Sequence, residues 1–547
     1  MKASDLFLEC LYQLGIDTIF GVPGEENADL MISLKNSPIR FITCRHEQSA
    51  AFMADMHGRL TGKPGVCLST LGPGATNLIT GVANANFDHS PLIAIVGQAS
   101  TERLHKESHQ NMDAISMYHP VTKWAVTVRE ADIIPEIITK AYKIATNEKP
   151  GAVMIELPED IAKRDTTATP LPLTQKICPA DITSDETKAV LTLIAESQKP
   201  LLLIGAGCVR GKADNELKIF IEKTGIYVAD TFMGKGAINA LHSQSLRCVG
   251  LGMKDIALKA FDEADLVICA GYDLIEWAPS RWNPNKNKKI IHIDTLPAEV
   301  DQDYLPELEL IGDIKTIFNT LNEHLDNIQR KNIPSFAKIR EEVINDLKQY
   351  DHDGETPIKP QRILHELRET LAAEDILMCD VGAHKMWVAR QYPTCHSHTC
   401  FISNGFCSMG GAMPWAFEAK RLYPHKNVVA LCGDGGFMMS VQALVTAVRY
   451  QIPITVVIWE DDAYGLIKWK QEMAYHTYSN IELHNPDLVQ LAIALGANSQ
   501  RIDNISELKP ALKDAFAQQQ KPTILVLPVD YAENMKLTKH LGEIISS

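Results

Sequence analysis

No stretch of this 547-residue chain approaches the roughly 20 consecutive apolar residues that a membrane-spanning helix needs. Basic charge is also in short supply. Lys and Arg number 53 against 68 Asp and Glu, a net charge of −15. That balance disfavours nucleic-acid binding through a broad basic face, and it leaves no polybasic anchor for a membrane surface. The twelve cysteines include no Cys-x-x-Cys pair. Only "CHSHTC", 395–400, has the look of a ligand cluster, and its spacing does not match a structural zinc site. Scattered thiols without a secretion signal point to a reducing cytoplasm. Low-complexity segments and close repeats are absent too.

The chain opens with "MKASDLFLECLYQLGI". Leu6, Phe7, Cys10, Leu11 and Leu14 share one helical face, with Ser4 as the expected N-cap. This is the pattern of a core helix, not of a signal peptide. The length suggests roughly three to four domains, and three blocks of short apolar runs alternating with helical stretches are visible. The first spans 1–165, with "TIFGV", "RFITC", "GVCLST", "PLIAIVG" and "AVMIELP" as strands. The second, 185–325, opens with "KPLLLIGAGCVRG" and continues through "ADLVICAGYD" and "KIIHID". The third, 358–547, holds "DILMCDVG", "VVALCGDGG", "ITVVIWED" and "TILVLPVD". Such alternation predicts α/β architecture with parallel sheets covered on both faces. Polar stretches at 163–175 and about 330–358 read as linkers.

The third block carries the clearest chemistry. In "NVVALCGDGGFMMSVQALVTAVRYQIPITVVIWEDDAYG", 427–465, a strand ends at Gly433-Asp434-Gly435-Gly436. A helix with Phe437, Val441, Leu444, Val445 and Val448 on one face is expected next, and then a strand ending at Glu460-Asp461-Asp462. A right-handed crossover puts both strand C-termini on one edge of the sheet, where ligands of open α/β sheets bind. Asp434 and Asp461 are 27 positions apart, one at each strand end. Two hard oxygen donors beside a glycine turn and a helix N-terminus suit magnesium shared with phosphate.

Gly-Asp-Gly followed at this distance by a second polar ligand resembles the diphosphate and metal motif of thiamine diphosphate enzymes. The resemblance implies Asp434, Asp461 and the Ala463 carbonyl as Mg²⁺ ligands, with Gly433, Gly435, Gly436, Tyr464, Gly465 and Leu466 around the cofactor. Glu460-Asp461 stands where the family has Asn-Asn, and catabolic acetolactate synthases share Asp at the second position. In the first block, "RHEQSAAFMADMHGRLTGKPGVCLSTLGPGATN" matches the family segment whose glutamate hydrogen-bonds the cofactor aminopyrimidine and activates it, here Glu47. A carboxyl in a dry pocket meets that need. "GVPGEEN" (21–27) and "LGPGATN" (71–77) are similar to cofactor-proximal turns and bring in Gly24, Gly74 and Asn77. "SHQNMD" (108–113) resembles the loop whose glutamine faces the reactive carbon, giving Gln110 with His109 beside it. In "SNGFCSMGGAMPWA", Met409 takes the place of the residue wedged between the two cofactor rings.

The resemblance covers nearly the whole chain and is greatest to the catabolic, flavin-independent acetolactate synthases. It implies α/β, three doubly wound parallel-sheet domains: pyrimidine-binding (1–165), central Rossmann-like (185–325) and diphosphate-binding (358–547). The implied reaction joins two molecules of pyruvate into 2-acetolactate with loss of CO₂. The Arg-Phe-Asp-Asp-Arg run of the flavin-dependent synthases is missing, so Gly205, Gly207 and Gly211 are expected to serve a structural domain without FAD. Ile467 and Lys470 fall at substrate-contacting positions. Lys470 replaces the Trp or Gln of relatives, and the absence of Trp there predicts pyruvate as second substrate. The resemblance further implies a homo-dimer or homo-tetramer with active sites between subunits. Two alternatives stand beside this reading: another thiamine diphosphate-dependent 2-oxoacid decarboxylase or carboligase, and a catalytically silent regulatory subunit.

Overall fold

Three six-stranded sheets, each wholly parallel, follow one another along the chain in a computed structural model that describes residues 1–172, 181–251, 254–349, 354 and 356–546. The first sheet contains β1 (Thr18–Gly21), β2 (Arg40–Thr43), β3 (Gly65–Ser69), β4 (Leu92–Gln98), β5 (Trp124–Thr127) and β6 (Ala152–Pro158), in the order β2-β1-β3-β4-β6-β5. The second contains β7 (Pro200–Ile204), β8 (Tyr227–Asp230), β9 (Ser245–Cys248), β10 (Leu266–Ala270), β11 (Lys289–Asp294) and β12 (Leu308–Ile311), in the order β12-β11-β10-β7-β8-β9. The third contains β13 (Ile376–Cys379), β14 (Cys400–Ile402), β15 (Val428–Gly433), β16 (Thr455–Glu460), β17 (Asn498–Arg501) and β18 (Thr523–Pro528). Its order, β14-β13-β15-β16-β18-β17, repeats the connectivity of the first sheet.

The strands legible in the sequence are mostly the buried ones. Each is a continuous apolar run because helices cover both faces. Of the six strands among the described residues that the sequence did not reveal, β5, β9, β12, β14 and β17 lie at sheet edges, and only β8 lies inside its sheet. An edge strand has one neighbour and needs no unbroken apolar run, as the half-exposed Asn498–Arg501 illustrates.

Four local expectations need correction. Ser4 does not cap the first helix. The helix spans Ala3–Gln13 with Lys2 before it, and Ser4 lies buried inside, bonded to Ser33 Oγ at 2.9 Å. The single helix expected after Gly436 is two, Asp434–Met439 and Gln442–Arg449, broken at Ser440. The supposed linker at 330–358 contains a helix, Pro334–Leu347, whose Phe336, Ile339, Val343 and Leu347 are buried at helical spacing against the central block. The linker at 163–175 begins late. Arg164 and Thr166 still pair with the first residues of the chain. The remainder of that stretch, 173–175, and residues 350–353 and 355 lie outside the described residues. No helix among the described residues is long and apolar enough to cross a membrane. The cysteines described are all free thiols.

One apolar core runs through the first and third blocks together. The helix Glu47–Thr61 packs on the helix Ala412–Leu422, with Phe52 edge-on to Trp415 at 5.8 Å. Buried charge crosses the same seam. Arg59 pairs with Asp55 at 2.9 Å and with Asp88, while Trp415 Nε1 donates to Asp55 at 3.1 Å. Gly405 N–H donates to Asp88 at 2.7 Å, and His57 meets Glu418 at 2.7 Å. Burial outweighs Arg59 at Asp55 and raises its pKa, whereas at Asp88 the guanidinium and added hydrogen bonds overcome burial and lower it.

Arg59→Met removes the cation common to two buried carboxylates. Loss of one partner of a buried ion pair costs about 3–5 kcal/mol. Chemical denaturation should show this as a much lower unfolding midpoint for Arg59→Met, and a midpoint equal to that of the parent would contradict the role given to Arg59.

Candidate active site

The first and third sheets share a switch point, where connections leave in opposite directions from neighbouring strands. It falls between β1 and β3 in the first sheet and between β13 and β15 in the third. Ligand crevices of open α/β sheets lie outside the strand carboxyl ends at that point. Most of the residues singled out in the sequence fall at these two places.

In the first block, β2 runs into His46, which caps the helix Glu47–Thr61 through Nδ1 and the Gln48 amide. Glu47 is the first helical residue and only 8% exposed. Asn77 Nδ2 donates to Glu47 Oε2 at 3.0 Å. Asn77 sits in the helix Pro73–Phe87, entered through Gly72 at φ +49°, a left-handed conformation that glycine adopts freely. A side chain on Gly74 would approach Glu47 Oε1 to 3.4 Å, and one on Gly24 would strike Thr70 at 2.3 Å. Glu47, Gly24, Gly74 and Asn77 are therefore neighbours around Thr70. Gln110, at φ +58°, lays its carbonyl against Gly72. Its side chain and that of His109 are exposed.

In the third block, β15 delivers Asp434, 1% exposed. Its Oδ2 accepts the Asp462 amide at 2.8 Å, the Asp461 amide at 3.3 Å and Asn485 Nδ2 at 2.9 Å. Burial raises the Asp434 pKa. Burial, and then the Asp434 carboxylate, push Asp461 up to about 8 against a counteracting Lys468. Gly465 leaves room for Asp461, since a side chain there would meet Asp461 Oδ2 at 2.8 Å. Gly435 lies against the ring of Tyr464. The Ala463 carbonyl accepts the Gly465 amide at 2.9 Å and keeps a second lone pair. Among the described residues no group of three or more His, Cys, Asp or Glu side chains gathers to hold a metal. Two close carboxylates and a carbonyl are instead the partial donor set that magnesium completes with phosphate and water. The other acids of the run go elsewhere: Glu460 pairs with Arg501 at 2.6 Å and Asp462 with Asn485 at 2.8 Å.

Three residues that the sequence reading missed complete this edge. Asp380, after β13, accepts the Gly410 amide at 2.9 Å and lies against Gly436, so it ties the half-buried Met409 loop to the Gly-rich turn. Burial pushes it up to about 7. His384 is 2% exposed, within 3.5 Å of a side chain placed on Gly433, and its Nε2 has no partner. Burial takes it down to about 3, so it is neutral. An orphaned imidazole nitrogen beside a glycine turn fits a phosphate oxygen or a bound water there. "CDVGAH" at a strand end was the available signal for both. Asn485 had none, since it reaches Asp434 from 51 positions away.

Leu466 is half-buried, while Ile467 and Lys470 are exposed on the helix Gly465–Tyr475. Burial and then the nearby Arg281 lower the Lys470 pKa. Among the described residues, no hydrogen bond or ion pair joins the Glu47 cluster to the Asp434 cluster. The charged part of the seam meets Asp55, His57 and Arg59, roughly 12–18 Å further along the helix from Glu47. Nearer Glu47 the blocks touch through Gln442 on Ser49 at 3.5 Å and Tyr450 on the Thr43 amide at 2.8 Å.

In the central block the switch point lies between β7 and β10. Glu276 fills it. Its carboxylate accepts the Ala206 amide at 3.1 Å, the Asp273 amide at 3.1 Å and Thr231 Oγ1 at 2.5 Å. Gly207 and Gly271 are in backbone contact in front of it. Burial, then Asp273, push Glu276 up to about 7.

Comparison with known proteins agrees with this arrangement. Residues 1–117 match the N-terminal TPP binding domain of thiamine pyrophosphate enzymes, 187–321 the central domain, and 380–527 the C-terminal TPP binding domain. An acetolactate synthase of Bacillus subtilis is 33% identical over all of this chain and 97% of its own length. A catabolic acetolactate synthase of Raoultella terrigena is 32% identical over 99% of this chain and 98% of its own. The large subunit of acetolactate synthase isozyme 2 of Escherichia coli is 30% identical over 98% and 97%. The chain belongs to the thiamine pyrophosphate enzymes, in the family that holds the acetolactate synthases.

Proposed function

We propose that the protein is an acetolactate synthase, which joins two molecules of pyruvate into 2-acetolactate and CO₂. The observation that carries the reading is Glu47: a carboxyl at a strand-to-helix junction, nearly dry and held by Asn77. Bound thiamine diphosphate supplies the carbon nucleophile that adds to a 2-oxoacid and takes up the electrons released with CO₂. Glu47 holds a proton at the aminopyrimidine ring. Asp434, Asp461 and the Ala463 carbonyl hold Mg²⁺ and through it the diphosphate, with His384 and the Gly433–Gly436 turn alongside. Gly24, Gly74 and Asn77 shape the pyrimidine pocket. Met409, Tyr464, Gly465 and Leu466 line the cofactor. Gln110 and His109 face the reacting carbon, and Ile467 and Lys470 the second pyruvate.

Among the described residues, no polar contact joins the Glu47 cluster to the Asp434 cluster within one chain. This favours a homo-dimer or homo-tetramer in which the first block of one subunit faces the third block of another. Domain limits of 1–165, 185–325 and 358–547 and a cytoplasmic location go with the same reading. FAD is not part of it. The Glu276 carboxylate already takes the amide hydrogen bonds that a dinucleotide phosphate would use at the central switch point.

With pyruvate, Mg²⁺ and thiamine diphosphate, the expected product is acetolactate, identified by mass; acetaldehyde alone would refute the assignment. Glu47→Gln should lower turnover by about 10²–10⁴-fold, the usual share of acid–base catalysis, and keep cofactor affinity. Near-parental turnover would remove Glu47 from its role. Loss of a group behind a metal ligand already costs 10–100-fold in affinity, so Asp461→Ala should weaken Mg²⁺-dependent cofactor binding by at least about tenfold, measured by titration. Affinity equal to the parent would exclude Asp461 as a ligand. The purified protein should show no flavin absorption, and a stoichiometric flavin band would overturn the reading of the central block.

A further inference from the structure

The loop that carries His109 and Gln110 is fastened from beneath by a buried pair the catalytic reading does not use. Gln98, the last residue of β4, is 2% exposed, and Glu156 of β6 is 4% exposed. Gln98 Nε2 donates to Glu156 Oε1 at 2.8 Å and to the Met112 carbonyl at 3.1 Å, while its Oε1 accepts the Ala99 amide at 2.8 Å. Thr127 Oγ1, from β5, donates to Glu156 Oε2 at 2.6 Å. The three strands are adjacent, with Val96 and Thr127 each in register with Glu156. Every polar atom of the Gln98 amide is used, and its orientation is fixed. Turned over, its oxygen would face a carboxylate and a carbonyl.

Met112 is two residues from Gln110. Its carbonyl also accepts the Ala114 amide at 3.0 Å, at the start of the helix Ala114–Tyr118. That helix is pinned to the pyrimidine side of the block by Tyr118, whose hydroxyl donates to the Ala75 carbonyl at 2.7 Å. Asn111 Nδ2 reaches back to the Lys106 carbonyl at 3.2 Å. The exposed tip at Gln110 is therefore set by an anchor within the sheet, at one remove from solvent. Few other polar contacts secure the tip itself: Arg103 reaches the His109 carbonyl only at 3.5 Å.

We propose that Gln98 and Glu156 are positioning residues, which fix the height and direction of the Gln110 loop over the pocket of Glu47. The proposal rests on the acetolactate synthase reading for its consequence and on the contacts above for its mechanism. A reacting group displaced by about 1 Å can lose up to a hundredfold in rate while substrate still binds. Anchor loss is thus expected to fall on kcat for acetolactate, and on the share of pyruvate diverted to acetaldehyde, more than on KM.

Gln98→Leu keeps the volume and removes the anchor; Glu156→Gln keeps the shape and one acceptor. Hydrogen exchange on the protein without substrate should show the amides of 111–116 in Gln98→Leu exchanging at least about tenfold faster, with those of the Glu47–Thr61 helix unchanged. In turnover, Gln98→Leu should lower kcat about tenfold or more with KM within about twofold, and Glu156→Gln should fall between it and the parent. The decrease should vanish in a Gln110→Ala background, because the anchor acts through that side chain. Parental exchange in 111–116, or an equal loss of kcat with and without Gln110, would overturn the proposal. Should Gln98→Leu fail to fold, Glu156→Gln decides by the same two readouts. Should the parent make no acetolactate, the functional reading fails while the exchange result still judges the anchor.

Discussion

A parallel strand can present its carboxyl end only at the edge where all its neighbours present theirs. Everything chemical in this protein hangs on that constraint. Among the described residues, eighteen strands in three parallel sheets leave three such edges, and at each the order of strands reverses once. Where it reverses, the connections diverge and a crevice opens. In the first sheet the crevice gathers Gly24, Thr70, Gly74 and, one strand away, Glu47. In the third it gathers Asp380, His384 and the Gly433–Gly436 turn, with Asp461 one strand on. In the central sheet it gathers Gly205, Gly207 and Gly271, and there the chain closes it with its own carboxylate.

The first and third sheets share a strand order but not a chemistry. One edge offers a single dry carboxyl with amide support. The other offers two carboxylates, of which Asp434 raises the proton affinity of Asp461, beside glycines and an unpaired imidazole nitrogen. The first is suited to moving a proton on a heterocycle and the second to holding a cation and phosphate. They are complementary halves. The seam that joins the blocks within one chain buries Arg59 and its two carboxylates toward the far end of the Glu47 helix, and nearer Glu47 it includes Gln442 on Ser49 and Tyr450 on the Thr43 amide.

Much of this could be read before any coordinates. Buried parallel strands are continuous apolar runs, and the two strands that lead to Asp434 and Asp461 gave away their shared edge of the sheet. Most edge strands, β2 apart, were invisible because a strand with one neighbour can be short and polar. Ser4 misled because a serine before an apolar helix usually caps it, and here a facing Ser33 offers a buried partner instead. The helix at 334–347 was taken for a spacer, although its apolar positions keep helical spacing among many charges. Asp380 stood just past a strand already identified and His384 at the start of the helix after it; what was lacking was the knowledge that β13 lies next to β15.

By itself the sequence determined which residue types end which strands: the glycine turn, the paired acids, the lone glutamate at a helix start. Those are local facts, set by backbone conformation and by the period of the apolar pattern. Only the tertiary structure decided which strand ends are neighbours. Sheet order depends on crossovers of dozens of residues, and nothing in a strand names its partner. So Asn485 reaches Asp434, Gln98 finds Glu156 and the Met112 carbonyl, and Glu276 fills a crevice the glycines alone would have left open. Each is a contact between residues far apart in the chain, fixed by packing rather than by any local preference.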